Sequence, residues 1–409
     1  MSSPSIRPYL PFCRVRPCSQ TLLETEDGRR SVVIELVADG RYRPLCSVCG
    51  SRLGRRHAET LRWVRDLNLG EHEVLLEIVQ RRFYCRSCGG TRTEALEFVA
   101  PFARVTKRLA RYAAELCRVL SVAVVARHLG LDWKLVKRCD REALVAEFAG
   151  TDTTGLRILA VDEIALRKGQ RYMTVVLDHE TGRVVWLGEG RKAETLEAFF
   201  RLMTPEQRAA IQAVAIDMWP AYERAVREHL PNARIVYDLF HVVANYNREV
   251  LDVVRKAAYR KATAGSEERR FIKGSRFLLY KNEENLADGE RRDLEELLRV
   301  NQEIAAAYVL KDSLKEIWRT RRPWEARRAL RTWCTLARES GIPALARFAR
   351  KLERHARGII AHAAYPIHTS RLEGVNNRIK VLKRIAYGFR DPVYFSLKVK
   401  QAFPGHVFT

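Results

Sequence analysis

The chain predicts an α/β protein that begins with a cysteine-rich metal ribbon and a three-helix segment. Two C-x-x-C pairs stand at Cys46/Cys49 and Cys85/Cys88, helical periodicity takes over from Thr106, and beyond residue 157 short apolar strands carrying carboxylates replace it. With 409 residues the chain exceeds one compact core, and roughly one domain per 100–200 residues divides it into two to four units. Apolar side chains make up 47% and charged ones 30%, enough to bury real cores and too apolar for wholesale disorder.

Lysine and arginine number 73 against 49 acidic residues, a net charge of +24. Such a surplus favours a polyanionic partner. Nucleic acid stands ahead of a membrane, because the longest apolar run, residues 119–126, falls far short of the ~20 residues a spanning helix needs. Residues 1–20 hold prolines and arginines but no apolar signal core, so the expected compartment is the cytoplasm. In a reducing compartment, closely paired cysteines bind metal more often than they form disulfides.

Four thiolates at the spacing of Cys46, Cys49, Cys85 and Cys88 can surround one tetrahedral Zn²⁺. Between the pairs Val74, Leu76 and Ile78 alternate as in a half-buried strand leading into the second pair, the layout of a zinc ribbon. His57 stays open as a substitute ligand, and Cys13, Cys18, Cys117, Cys139 and Cys334 read as structural. Next, Leu109, Ala113 and Leu116 share one helical face and Val122, Val125, Ala126 and Leu129 another; Gly130 suits a turn and Asp132 an N-cap. In the third helix Leu135, Val136 and Cys139 face inward, while Lys134, Lys137, Arg138 and Arg141 fall on one basic stripe. This is the helix-turn-helix layout, whose second helix enters the DNA major groove; a solvated amphipathic helix has the same pattern.

In the centre, RILAVDEIAL at 157–166 reads as a strand buried on both faces and carrying Asp162 and Glu163 near its end. Residues 172–190 read as a hairpin around Asp178 to Gly182, 194–203 as a helix, 213–222 as a strand delivering Asp217, and 234–243 as another with Asp238 and His241. Any one such aspartate is commonly a cap or turn residue. Three strand-end acids brought together repel one another unless a cation neutralises them, which points to a divalent-metal site. Residues 245–366 are too long for a loop and read as a helical insertion, whose Trp318, Trp324 and Trp333 could pack in a core or stack on an unpaired base. Residues 370–390 form an amphipathic helix with Leu372, Val375, Ile379 and Leu382 as its buried stripe and Glu373, Asn376, Asn377, Lys380, Lys383 and Arg384 as its polar side.

The order of these motifs, with VDE at 161–163, DLFH at 238–241 and LEGVNNRIKVLKRIAYGFR at 372–390, resembles the transposases of the ISL-three family of bacterial insertion sequences. The resemblance implies a ribonuclease-H-like mixed five-stranded sheet flanked by helices, with a helical insertion. It divides the chain into a zinc ribbon (1–100), a helix-turn-helix (101–152), a catalytic core (153–245), the insertion (246–365) and a core helix (366–409). It implies a DDE triad of Asp162, Asp217 and Glu373, selecting Asp162 over Glu163, whose side chain must point to the opposite strand face. Asp162 would then bridge two Mg²⁺ or Mn²⁺ ions, with Asp217 and Glu373 completing their shells. Asp238, His241, Asn376 and Lys380 would support the site. Lys134, Lys137, Arg138, Arg141, Lys383 and Arg384 would contact double-stranded DNA, both transposon ends and target, in a homodimer or larger assembly without a membrane. A DNA-binding regulator lacking catalysis, or a structure-selective nuclease, would share most of these features.

Overall fold

The computed structural model describes residues 9–405 except 25, 27, 29, 168–170, 368–369, 387–388 and 390. The chain divides into two compact units, 1–147 and 148–409, so the ribbon and the three helices lie in one unit.

In the first unit β1 (Val15–Glu24), β2 (Arg30–Ala38), β3 (Arg56–Leu69), β4 (His72–Cys85) and β5 (Gly90–Thr93) form one sheet ordered β1-β2-β4-β3, with β5 beside β4. The expected alternation in β4 is present: Val74, Leu76 and Ile78 are buried with Val32, Ile34 and Leu36 of β2 and Val64 of β3. The long β1 and β2 were not legible as strands, since β1 carries Pro17 and its residues are mostly exposed. At the β3–β4 turn Gly70 takes φ +58°, where an L side chain would be strained.

Helices α1 (Lys107–Leu116), α2 (Val122–Leu129) and α3 (Trp133–Phe148) follow. Thr106 and Ser121 cap the first two, Gly130 ends α2 in the left-handed conformation at φ +64°, and Asp132 accepts from the backbone N–H groups of Lys134 and Leu135. Leu109, Ala113, Val125, Ala126, Leu129, Val136 and Cys139 share their core. Buried Asp66 of β3 accepts from the Thr106 hydroxyl at 2.6 Å and pairs with Arg108, fixing α1 to the sheet.

The second unit is built on β6 (Ile158–Arg167), β7 (Arg171–Asp178) and β8 (Val184–Glu189), an antiparallel run joined at β7–β8 by a turn in which Asp178 accepts from Thr181 at 2.6 Å. Helices α4 (Ala193–Phe200) and α5 (Pro205–Ala210) lead to β9 (Ala213–Ile216), and α6 (Pro220–His229) leads to β10 (Arg234–Tyr237). The strand order is β10-β9-β6-β7-β8, with β9 and β10 parallel to β6.

Beyond β10 come α7 (Leu239–Tyr246), a π turn at Asn247–Leu251, α8 (Asp252–Lys261), α9 (Glu267–Gly274), α10 (Arg276–Tyr280), α11 (Asp288–Val300), α12 (Gln302–Arg319), α13 (Pro323–Glu339), α14 (Pro343–Arg354) and α15 (Ala356–Ala361). Their apolar faces continue the core on one side of the sheet, with Leu159, Val161, Val214 and Ile216. The other side, Ala160, Ala215 and Val236, packs Val375 and Ile379 of α16 (Ser370–Ile385) and Phe395 and Val399 of α17 (Pro392–Ala402). Leu382 is half-buried, and the side chain of Leu372 lies outside the described residues, as do Tyr387, Gly388 and Arg390 of the terminal motif.

Two of the three insertion tryptophans are core residues, which removes the stacking alternative for them. The indole N–H of Trp318 donates to Tyr237 O at 3.1 Å and that of Trp333 to Leu310 O at 2.8 Å. Trp324 alone of the three is open, 56% exposed, with Arg328 over its ring.

Candidate active site

The sheet register aligns the central acids. Ala160 of β6 pairs with Ala215 of β9, and Ala215 with Val236 of β10. Two residues further along each parallel strand stand Asp162, Asp217 and Asp238, abreast beyond the last β6–β9 pair. Asp217 and Asp238 directly follow their strands, but these are shorter than expected: β9 ends at Ile216 and β10 at Tyr237, and the remainder of the expected strands starts α6 and α7, so His241 lies on a helix. Asp162 does not sit near a strand end: β6 runs on to Arg167 because β7 still pairs with it where β9 has stopped.

Alternation separates the neighbouring acids. Asp162 shares the parity of Ala160, on the side that packs α16, and its Oδ2 accepts from the Asn376 amide at 2.6 Å. Glu163 shares the parity of Val161 and lies 3.4 Å from Arg191 on the other side. Arg191 is itself placed over the Tyr172 ring at 4.2 Å and near Trp219 at 5.8 Å.

Asn376 was expected on the polar side of its helix; it is instead buried against β6 because the side chain reaches Asp162. Glu373, one helical turn earlier, is exposed. Lys383, expected on the open polar side, is half-buried and donates to Ala165 O at 3.1 Å, while Lys380 donates to Asn377 at 3.2 Å and Arg384 is exposed. The Asp162, Asp217 and Glu373 carboxylates do not all approach within 4.8 Å of one another.

Burial raises the pKa of Asp162 above the ordinary carboxylate range, opposed by the nearby His241 and by its hydrogen bonds. Burial also raises that of Glu163. His241 Nδ1 lies 3.9 Å from Asp217 Oδ2. Asp238 occupies the N-cap position of α7 yet makes no side-chain cap bond, and its Oδ2 is buried with no hydrogen-bond partner among the described residues. The ordinary structural role for a strand-end aspartate therefore fails for this one. The Asn376 carbonyl oxygen beside Asp162 is buried and unpartnered in the same sense. Acids held out of water beside unsatisfied oxygens are a donor set that suits a hard divalent cation.

In the first unit Cys46, Cys49, Cys85 and Cys88 gather with all four sulfurs within 4.8 Å of one another. Cys46 Sγ lies 3.9 Å from Cys88 Sγ, and Cys49 Sγ 3.6 Å from Cys85 Sγ. Zinc–sulfur bonds of about 2.3 Å at tetrahedral angles put sulfurs ~3.8 Å apart, so the thiols fit that ion. His57 is exposed on β3 and does not belong to the cluster, which excludes it as a fourth ligand here.

Comparison with known proteins matches the chain regions in which the two clusters lie. Residues 43–88 match the zinc-finger of transposase IS204/IS1001/IS1096/IS1165, residues 94–143 the helix-turn-helix domain of transposase family ISL3, and residues 159–399 the family's DDE domain, described as transposase. The chain is 45% identical over 381 residues to the transposase for insertion sequence element IS1001 of Bordetella parapertussis, covering 93% of this chain and 94% of that protein. The chain belongs to the ISL3 family of insertion-sequence transposases. It is also 31% identical over 387 residues to the transposase for insertion sequence element IS1557 of Mycobacterium tuberculosis, covering 86% of this chain and 85% of that protein.

In this ISL3 transposase α1–α3 lie in the helix-turn-helix match, and Lys134, Arg138 and Arg141 of α3 are exposed while Lys137 is half-buried. Among the described residues no helix is long and apolar enough to cross a membrane. Two features escaped the sequence. The Asn376–Asp162 bond had one available signal, the three-residue spacing of Asn376 from Glu373. The Arg191 cluster had none, because Tyr172, Arg191 and Trp219 come from separate segments.

Proposed function

We propose that this transposase cleaves and joins DNA through Asp162, Asp217 and Glu373, which hold two divalent cations, Mg²⁺ or Mn²⁺, on a ribonuclease-H-like core. The core would comprise residues 153–245 and 366–409, interrupted by the insertion at 246–365 and preceded by the ribbon (1–100) and helix-turn-helix (101–152). The observation that carries the reading is the register: Asp162, Asp217 and Asp238 stand abreast on parallel strands, and Asn376 ties the helix bearing Glu373 to the first of them. The order β8-β7-β6-β9-β10, three antiparallel strands followed by two parallel to the first, supports the fold assignment.

When bound, such a pair of cations activates the attacking oxygen and neutralises charge on the phosphate and the leaving oxygen. The chain's own residues do the placing. The Asn376 amide fixes the rotation of the Asp162 carboxylate and orients it toward its ligand. His241 Nδ1 stands 3.9 Å from Asp217 Oδ2, and Asp238, the third acid of the row, adds a carboxylate beyond the proposed triad. Lys380 and Arg384 present cations along the same helix for backbone phosphates. Hydrolysis at each element end would expose a 3′-hydroxyl, which would then attack target DNA, so two ends are handled by a dimer or larger assembly.

In the first unit the four cysteines hold structural Zn²⁺, and α3 reads the element's ends through Lys134, Lys137, Arg138 and Arg141. Replacing Lys137 and Arg138 together with alanine should lower affinity for the ends about 10-fold or more, measured by gel shift against random DNA. The central test incubates the protein with DNA flanking its own reading frame plus Mn²⁺ and maps the products. Breaks at the inverted repeats support the reading, and breaks scattered without regard to the repeats overturn it.

A further inference from the structure

The second unit carries a cationic groove that neither the acids nor the recognition helix uses. A cavity of about 1250 Å³ opens beside the edge strand β10, where α13 and the α14–α15 junction form its walls. Gly358 lets α15 lie against the strand: a Cβ there would meet the Tyr237 ring at 2.5 Å and Ile235 O at 3.2 Å. Six arginines border the opening, Arg227, Arg234, Arg327, Arg331, Arg354 and Arg357, and all six are exposed. Arg227 has a long 3.5 Å contact to Glu223. The other five form no ion pair among the described residues, and the one acid at the rim, Glu353, is engaged by Arg338 at 2.5 Å.

Like charges gathered around a concavity repel one another unless a counter-charge sits between them, and low-dielectric walls focus the resulting field. Elsewhere in the unit exposed arginines pair readily, as Arg157 does with Glu180 and Arg171 with Glu189. Arg327 and Arg331 lie one turn apart on α13, which puts their Cβ atoms about 5–6 Å apart, and Arg354 and Arg357 stand three residues apart across the α14–α15 junction, so each wall offers two neighbouring cations. A repeating anion answers such a row better than a single small ion.

We infer that this groove is a second DNA-binding surface, which takes the phosphodiester backbone of duplex DNA without reading its sequence. The inference rests on the chain's membership of a DNA-transposing family and is independent of which acids form the catalytic triad. Planar guanidinium groups suit phosphate oxygens, and a row of like cations matches the repeat of a phosphodiester backbone.

The test uses the full chain with Arg331, Arg354 and Arg357 all replaced by alanine, and measures affinity for end-containing and random duplexes across a salt series. Each lost phosphate contact should flatten the slope of log affinity against log salt by about 0.9, hence by roughly 2 to 3 in total. Both duplexes should weaken by the same factor, leaving the preference for ends unchanged. The corresponding triple lysine variant should keep most of the slope, which separates lost charge from lost fold. An unchanged slope overturns the proposal, as does an equal loss per charge when the exposed Arg292 and Arg299 of α11 are removed instead. Weakened binding to a single-stranded oligonucleotide with duplex binding intact also overturns it, in favour of an unpaired strand. Failure of the triad assignment would show in cleavage, and failure of the α3 assignment in end preference, so neither is confused with this result.

Discussion

The thiol cluster of the first unit and the proposed acid site of the second are built in opposite ways. The four thiols of the ribbon come from a stretch of 43 residues spanning 46–88, and Cys46, Cys85 and Cys88 sit in a small apolar cluster with Leu53 and Phe83. The three proposed catalytic acids are spread from 162 to 373 and border large cores on both sides of their sheet. A small cluster cannot hold a fold by burial alone, so a zinc ion held by the four thiols would take part in the folding of the ribbon itself. The sheet of the second unit has large apolar cores on both faces, so its fold would not depend on ions held by the proposed acids.

The largest test of this contrast is metal removal. Structural zinc in isolated fingers binds with about 10–16 kcal/mol, so a strong chelator or Cys85→Ser should release one zinc per chain and open residues 46–88 to protease. Unfolding of the second unit should keep its midpoint, and equal loss of both units would break the comparison.

Next come the acids. Asp162→Ala, Asp217→Ala or Glu373→Gln should lower end cleavage at least ~10³-fold, several kcal/mol of barrier, while end binding and melting temperature stay close to those of the parent. A variant that still cleaves fully removes its residue from the triad.

A buried charge in the helical insertion probes the same contrast through pH. Lys311 is fully buried, donates to Leu279 O at 2.9 Å and Lys281 O at 2.8 Å, and burial lowers its pKa from 10.5 to about 8. Between those values the unfolded chain binds more protons, so this residue makes stability rise with pH there, by at most about 3 kcal/mol. Denaturant titrations at pH 7.5 and 10 should show the parent gaining on Lys311→Met by up to that amount. A constant difference would mean that the ammonium is not held charged at a cost.

The smallest expected effect is at Asn376. Asn376→Ala should reduce cleavage about 10- to 100-fold, as loss of an orienting partner does, and raise the divalent-ion concentration needed for half-maximal rate. An unchanged metal requirement would show that its bond to Asp162 serves packing alone.

These differences also explain what could be read in advance. Cys46, Cys49, Cys85 and Cys88, the alternation at Val74 to Ile78, the turn at Gly130 and the N-cap at Asp132 are local patterns, and each is present in the fold. Strand β1 escaped because its exposed residues carry no apolar period. Asn376 was expected to support the site but not to be buried, since helical spacing distinguishes a face but not whether a polar side chain on its border has a buried partner.

By itself the sequence determined where chemistry is available: thiol pairs, acids after apolar runs, a basic stripe and a surplus of cations, all properties of neighbours along the chain. Only the tertiary structure decided which of these meet. Register aligned Asp162 with Asp217 and Asp238, parity turned Glu163 away, and packing of distant helices brought Asn376 to the acids and left arginines unpaired around a groove. The physical reason is that pairing between strands and helix docking are set by the burial of whole faces, a sum over many residues that no short motif contains.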